Sequence, residues 1–257
     1  MLLLISPAKT LDFDSPAPTD EFTQADFIKQ SRQLISELRA LAPHDISSLM
    51  NISDKLGTLN FDRFATWKTP FKLNNAKQAL FAFQGDVYTG MQADKFSNDD
   101  IQFAQKHLRI LSGLYGLLRP LDLIQAYRLE MGTGFANSRG KNLYEFWSDS
   151  ITKALNKQLK ELSSSIVINL ASNEYFSSVK PKLLHAKIIT PVFKDKKNGE
   201  YKIISFFAKK ARGMMSAYII QNRILTIEDI KHFNTDGYSF NADMSNELEW
   251  VFTRDKI

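Results

Sequence analysis

The sequence predicts an α/β fold, with α+β as the alternative, in which helices flank a mixed β-sheet. Residues 1–5 and 166–170 form short, continuous apolar runs of the kind found in buried strands. Residues 24–41 and 209–223 instead carry apolar side chains at helical spacing. No repeat, low-complexity tract or Gly/Ser-rich linker divides the chain. We therefore expect a single domain over residues 1–257.

The first half of the chain is divided by turn residues. Strand 1–5 stops before Pro7, and the proline-containing stretch 12–20 is typical of a surface loop. Periodicity and capping residues then predict helices over 24–41, 46–52 and 55–66, a strand over 79–83, and a helix over 99–111 capped by Asn98.

The second half alternates helix and strand. The predicted elements are a helix over 141–162, a strand over 166–170, hairpin strands over 188–194 and 201–207, and a helix over 209–223 that buries Ala211, Met215, Tyr218 and Ile219. Asn198-Gly199 is a strong two-residue hairpin turn signal. Ser172 is a candidate helix cap, with Tyr175 at the third helical position.

The amino-acid composition argues against membrane-spanning, cysteine-dependent and metal-binding classes of protein. Apolar residues make up 44% of the chain and charged residues 24%, as in globular proteins, and no apolar run is long enough to span a bilayer. Without cysteine there is no disulfide, thiol nucleophile or thiolate metal site, and the four histidines lack metal-ligand spacing. We therefore expect a cytoplasmic protein with no metal, no other cofactor and no membrane partner.

Basic residues concentrate between Lys180 and Arg212. This window holds ten of the 33 basic residues and two of the 28 acidic ones, a formal charge of +8 against +5 for the whole chain. Such asymmetry indicates a polyanionic partner. Lys209, Lys210 and Arg212 fall in the predicted first helical turn, where a bound anion would offset their repulsion by the helix dipole. With Lys180 and Lys182 they are candidate phosphate ligands, and a solvated basic hairpin is the alternative.

The first strand runs into Ser6-Pro7-Ala8-Lys9-Thr10. A hydroxyl and a lysine at the carboxyl end of a strand suit an anion at the sheet edge. The glycines of a Walker loop are missing, so this segment is not one. An ordinary turn with a surface lysine is the alternative for Ser6 and Lys9.

Gly113 and Gly116 follow the predicted helix over 99–111, and Arg109 and Arg119 flank them. A glycine hairpin can expose backbone amides to phosphate, as helix-hairpin-helix elements do. This spacing has two residues between the glycines instead of the usual one. A glycine helix cap followed by a buried apolar turn is the alternative.

Two acidic residues are candidate catalytic groups. Arg128 and Glu130 would share one face of an extended segment, either as an ion pair or with Arg128 on a phosphate and Glu130 as general acid or base. Glu174 follows the strand over 166–170 beside the candidate cap Ser172, where polar groups suit a pocket.

Together these segments resemble the YaaA family of bacterial peroxide stress resistance proteins, in order and spacing over nearly the whole chain. Ala126 stands where the family pattern has proline, and Asn173 where an acid is common, which argues against a catalytic carboxylate at 173. The resemblance implies a cytoplasmic protein that supports survival under hydrogen peroxide and binds DNA through a helix-hairpin-helix-like element. The matching text is LISPAKTL (4–11), FQGDVYTG (83–90), LSGLYGLLRP (111–120), YRLEM (127–131), NLAS (169–172) and KKARG (209–213).

The leading hypothesis is a DNA-binding protein that contacts mainly the phosphate backbone, with little base specificity. The alternative is an enzyme acting on a nucleotide or a nucleic-acid base, with Glu130 or Glu174 moving protons. Its anion pocket would consist of Ser6, Lys9, Arg128 and residues 209–212. A basic hairpin that docks an acidic partner is a third possibility. The first two hypotheses require these distant cations to meet in the folded chain.

Overall fold

The computed structural model describes residues 1–255. Its strands are β1 (Leu2–Ile5), β2 (Thr10–Leu11), β3 (Thr23–Gln24), β4 (Lys77–Gln78), β5 (Phe83–Gln84), β6 (Leu108–Ser112), β7 (Gly116–Leu118), β8 (Asp122–Ile124), β9 (Ile166–Leu170), β10 (Lys187–Lys197), β11 (Glu200–Lys202), β12 (Ser239–Phe240) and β13 (Glu249–Arg254). Its α-helices are α1 (Ile28–Leu38), α2 (Pro43–Met50), α3 (Asp54–Thr66), α4 (Ala79–Ala82), α5 (Asp86–Met91), α6 (Asn98–His107), α7 (Leu143–Trp147), α8 (Ser150–Glu161), α9 (Asn173–Phe176) and α10 (Ser205–Gln221). Short 3-10 helices lie at Ala93–Lys95, Pro181–Leu183, Ile227–His232 and Thr235–Gly237.

The main sheet has the strand order β12-β13-β10-β9-β1-β6-β7, and β11 pairs with β10. Neighbours from β13 through β6 are parallel, whereas the edge strands β12 and β7 are antiparallel. All four residues of β1 are buried, as expected for a central strand of a parallel sheet covered on both faces. This mixed sheet with its helices confirms the predicted α/β class.

Strands β1 and β9 lie side by side, and the chain adds its next strand on opposite sides of this pair. From β1 it continues to β6 on one side, and from β9 to β10 on the other. In open α/β sheets, ligands bind in the crevice between the carboxyl ends of two strands whose connections diverge in this way. The carboxyl ends of β1 and β9 lead to Ser6 and Ser172.

Two element predictions are wrong because short or interrupted apolar patterns are ambiguous. Residues 79–82 form the helix α4, and only Phe83–Gln84 is strand. A run this short does not distinguish a buried strand from a buried helix by periodicity. The helix predicted over 141–162 is two helices, α7 and α8, because Ser148 between them has φ 45°.

The helix predicted over 99–111 ends at His107, and β6 follows at once. Its N-cap is Ser97 rather than the predicted Asn98. Ser97 Oγ accepts a hydrogen bond from the backbone N–H of Asp100, whose carboxylate accepts from the N–H of Ser97. Residues 108–111 are therefore strand, which changes the interpretation of the glycine turn that follows them.

The predicted β-hairpin is confirmed as the pair β10 and β11. Asn198 (φ 55°) and Gly199 (φ 83°) both adopt the left-handed conformations that a type I′ turn requires. The second strand ends earlier than predicted, and α10 begins at Ser205 instead of Lys209. Lys209 and Lys210 therefore lie in the second helical turn, so the argument from the first-turn dipole does not apply to them.

Helix α10 crosses α5 with backbone nearly touching backbone. A Cβ atom at Gly213 would lie 1.8 Å from the carbonyl oxygen of Val87, and one at Gly90 would lie 2.0 Å from that of Lys210. Only glycine permits this approach. The crossing fixes the face of α10 that carries Lys209 beside the loop that enters α5. No helix among residues 1–255 has both the length and the apolar character to cross a membrane.

Candidate functional site

A cavity of about 470 Å³ opens at the carboxyl ends of β1 and β9, and we call it the switch-point pocket. Its walls come from the loop after β1, the β5–α5 loop, the segment after β8, the start of α9 and the second and third turns of α10. Six of the predicted site residues line it: Ser6, Lys9, Glu130, Glu174, Lys209 and Arg212.

Glu130 joins two cations at one wall of the pocket. Its Oε1 atom lies 2.9 Å from Lys9 Nζ and 3.1 Å from Arg128 Nη2. This is the ion pair considered from the sequence, although residues 125–130 are extended loop rather than strand. Among the described residues, Glu130 Oε2 and Arg128 Nε are buried and have no hydrogen-bond partner. Buried polar atoms are normally paired, so these two point to a ligand or an ordered water.

Burial of Glu130 raises its pKa, but hydrogen bonds from Lys9 and Arg128 outweigh that effect. The pKa of Glu130 therefore lies below its ordinary value. At neutral pH this side chain is a carboxylate, able to accept a hydrogen bond or a proton. At neutral pH it therefore has no proton to donate as a general acid.

Two serine hydroxyls meet at the junction of β1 and β9. Ser6 Oγ accepts a hydrogen bond from the backbone N–H of Ser172 at 2.9 Å and lies 3.3 Å from Ser172 Oγ. Tyr88 donates to the carbonyl oxygen of Ser6 at 3.1 Å. Ser172 Oγ in turn caps α9 by accepting from the N–H of Tyr175, which confirms the predicted cap. Both hydroxyls are thus held in place at the sheet edge.

Lys209 and Arg212 are one turn apart on α10, at a spacing that places them on the same side of the helix. Lys209 is exposed and Arg212 is partly buried. Burial lowers the pKa of the Arg212 guanidinium, which nevertheless stays charged at neutral pH. Within residues 1–255 neither side chain forms an ion pair with a carboxylate. The pocket therefore contains two cations that make no direct ion pair within the described residues.

Glu174 lies at the rim of the pocket. Its Oε1 atom accepts a hydrogen bond from the backbone N–H of Gly132 at 2.9 Å, and its carbonyl oxygen accepts from Tyr144 at 2.9 Å. A Cβ atom at Gly132 would lie 3.1 Å from the same Oε1, so the glycine allows this close contact. The carboxylate is held but exposed, unlike that of Glu130.

Three buried tyrosines, Tyr88, Tyr127 and Tyr175, lie beside the pocket. Burial raises the pKa of each, and their mutual proximity adds to the effect for Tyr88 and Tyr175. All three therefore stay protonated at neutral pH. Their hydroxyls can donate hydrogen bonds but cannot act as bases.

Arg109 and Arg119 do not reach the pocket. The Arg109 guanidinium is buried, donates to the carbonyl oxygens of Gln105 and Leu108, and also contacts Gln158. Arg119 forms ion pairs with Asp122 at 2.9 Å and Asp26 at 3.2 Å. Each lies three residues along the chain from the glycine turn, a distance of roughly 10 Å. Both are therefore near the edge of the sheet opposite the pocket. They do not form the predicted phosphate clamp.

The turn at Gly113 and Gly116 joins the antiparallel strands β6 and β7, so it is not a helix-hairpin-helix element. It is buried: a Cβ atom at Gly113 would lie 2.2 Å from the carbonyl oxygen of Leu129, and Gly116 (φ 69°) packs against Trp147. The turn amides are not accessible to a nucleic-acid backbone. Gly113 instead lets the segment that carries Glu130 pass directly over the end of β6.

Lys180 and Lys182 also lie away from the switch-point pocket. Lys182 belongs to the 3-10 helix Pro181–Leu183, which leads into the amino end of β10. The amino ends of parallel strands form the edge opposite the pocket. The basic residues of the window 180–212 therefore lie at two different edges of the sheet. Lys209 and Arg212, from its last part, line the switch-point pocket. Lys210 is not among the lining residues.

Sequence reasoning missed the wall formed by Gln84, Gly85, Asp86, Val87 and Tyr88. The stretch 83–90 matched the family pattern, but no titratable cluster in it indicated a role. Asp86 adds a third carboxylate to the pocket, so its lining is mixed in charge rather than uniformly basic. No group of three acidic or histidine side chains in the described part of the chain could hold a metal ion.

Known proteins match this sequence over nearly its whole length. Residues 1–244 match the family described as "Peroxide stress protein YaaA". A UPF0246 protein of Cellvibrio japonicus is 62% identical over 256 residues, covering 100% of this chain and 99% of its own. UPF0246 proteins of Teredinibacter turnerae and Saccharophagus degradans are 63% and 62% identical over 254 residues, each covering 99% of both chains. The chain therefore belongs to the YaaA family of peroxide stress proteins.

Proposed function

We propose that this member of the family is a cytoplasmic DNA-binding protein and that a phosphate group of DNA binds in the switch-point pocket. One observation carries the proposal: Lys209 and Arg212, which form no direct ion pair with a carboxylate of residues 1–255, line the same cavity as Ser6 and Lys9. Two neighbouring cations and a hydroxyl group at the carboxyl edge of a sheet can bind the oxygens of a phosphate group.

The contacts in this proposal are chiefly to phosphate, so binding depends little on base sequence. The glycine turn has no part in it, because that turn is buried. Affinity falls steeply with salt, since each neutralised phosphate of duplex DNA contributes roughly 0.9 to the slope of log K against log salt.

The test is fluorescence anisotropy with a labelled duplex over a salt series. The double variant K209A/R212Q removes two positive charges at the pocket, and K180A/K182A removes two from the same basic window at the other sheet edge. We expect K209A/R212Q to weaken binding at low salt and to lower the salt slope by about 1–2, while K180A/K182A stays close to the unmodified protein. Equal effects of both variants would mean that overall charge, and not this pocket, binds DNA.

A second candidate function is catalysis on a nucleotide or a nucleic-acid base. The observation in its favour is Glu130, an ionised carboxylate with one buried oxygen that has no partner among the described residues. In this scheme Ser6 and Lys9 bind the phosphate side of the ligand, Arg128, which does not line the pocket, holds Glu130 in place, and Glu130 accepts a proton.

The variant E130Q separates the two functions. Catalysis predicts that E130Q keeps its affinity for DNA but no longer protects cells against hydrogen peroxide. Binding alone predicts that protection follows affinity, so that a variant which keeps its affinity for DNA also keeps its protection. The matched control is E174Q, at the rim of the same pocket, where the carboxylate holds a backbone N–H rather than two cations.

A further inference from the structure

Phe206 is an exposed aromatic side chain in the most basic part of the chain. It is 56% exposed, and Ile203 nearby is 61% exposed. The adjacent Phe207 lies 5.5 Å from Phe206 between ring centroids and stacks under Arg254, so Phe207 is anchored and Phe206 is not. Within residues 1–255, no other phenylalanine, tyrosine or tryptophan side chain reaches the exposure of Phe206.

Phe206, Lys209 and Arg212 follow one another at intervals of three residues on α10. Residues at this spacing are neighbours on a helix surface, with Cβ atoms about 5–6 Å apart. The row begins with an exposed ring, continues with an exposed ammonium group at the pocket and ends with a partly buried guanidinium inside it.

Phe206 and Lys209 lie about one helical turn apart on α10, a separation that the base and the phosphate of one nucleotide can bridge. Proteins that bind single strands combine a basic surface with aromatic side chains on which bases stack. A base in an intact duplex is already stacked and paired, and so it cannot cover Phe206. Lys209 and Lys210 follow Phe206 closely in the sequence and form no ion pair within residues 1–255, which favours a polyanion over an apolar partner.

We infer that Phe206 is a stacking platform for an unpaired base, and that the DNA recognised by this protein is single-stranded at the pocket. This inference rests on the proposed phosphate site and deepens it. The phosphate of one nucleotide binds Lys209 and Arg212, while the base of that nucleotide or of its neighbour stacks on Phe206. Base identity is of little importance, because every base has a face that can stack.

The test compares a labelled oligothymidylate with a duplex of equal length, at one salt concentration. The proteins are the unmodified chain, F206A, F206W and the control F22A. Phe22 is 44% exposed, directly precedes β3 and lies outside the basic window. We expect F206A to weaken binding of the single strand roughly 5- to 100-fold, the effect of losing one base–aromatic stack, and to change duplex binding less than about twofold. F206W and F22A should bind the single strand like the unmodified protein.

The variant F206W also provides a direct signal. Trp67, Trp147 and Trp250 are buried, so a tryptophan at 206 would be the exposed one and stacking should quench its fluorescence. If F206A binds both DNAs as the unmodified protein does, or loses affinity for both equally, the stacking inference is wrong while the phosphate site can stand. If the unmodified protein binds neither DNA at low salt, the proposed function itself is wrong.

Discussion

Replacing Gly213 with alanine should separate α5 from α10 and destabilise the protein. The added Cβ atom would lie 1.8 Å from the carbonyl oxygen of Val87 and 2.8 Å from the backbone nitrogen of Met91, whereas real Cβ contacts essentially never fall below 3.0 Å. Both obstacles are backbone, so no rotamer change relieves the clash and one helix must move by at least about 1 Å. We expect a loss near the upper end of the range for overpacking, about 3 kcal/mol or more.

Thermal unfolding followed by circular dichroism measures this effect. For a chain of this size, a loss of about 3 kcal/mol lowers Tm by roughly 6–12 °C. The matched control is Gly134→Ala, because a Cβ atom at Gly134 would have nothing within 4 Å. Should Gly213→Ala unfold at the same temperature as Gly134→Ala, the contact between the two helices is not as close as described and the argument from the crossing fails.

The variant E130Q should remove part of the acid sensitivity of folding. Because the folded-state pKa of Glu130 is lowered by its cationic partners, its stabilisation is present above the ordinary value of 4.5 and is lost as pH falls through the folded value. The stability difference between E130Q and the unmodified protein should therefore shrink below about pH 4.5 in urea titrations; a constant difference would contradict this. Asp195 is fully buried against Arg254 and Tyr238, and D195N should cost up to about 3–5 kcal/mol by leaving the buried arginine with the partly exposed Asp236 as its remaining ion-pair partner. The exposed E200Q should change the free energy of unfolding by less than about 1 kcal/mol, and a similar small value for D195N would refute the buried pair.

Strong local signals predicted much of the fold. The strand at the start of the chain and the Asn198-Gly199 turn were both predicted correctly, the strand because Pro7 limits the apolar run and the turn because both of its residues accept positive φ. The run 79–82 failed because a short apolar segment fits helix and strand equally. The helix over 99–111 was extended too far because its apolar pattern continues into β6, whose burial comes from the sheet.

The site was harder to predict because it depends on contacts between distant segments. Residue type identified Lys9, Arg128 and Glu130 as candidate site residues and an Arg128–Glu130 ion pair as one possibility, but it did not reveal that Glu130 also contacts Lys9. Arg109 carries the same charge, yet strand geometry directs it into buried hydrogen bonds. The glycine turn was interpreted as a phosphate contact, whereas its glycines serve the close approach of neighbouring backbone and side chains.

The switch-point pocket takes its walls from positions as far apart in the sequence as Ser6 and Arg212. No fragment of the chain contains it, so it exists once the whole sheet has formed. Occupancy is therefore linked to global unfolding, and a compound present at a hundred times its Kd would raise the free energy of unfolding by about 2.7 kcal/mol. A melting-temperature screen of nucleotides and short oligonucleotides can thus search for the natural ligand without any activity assay.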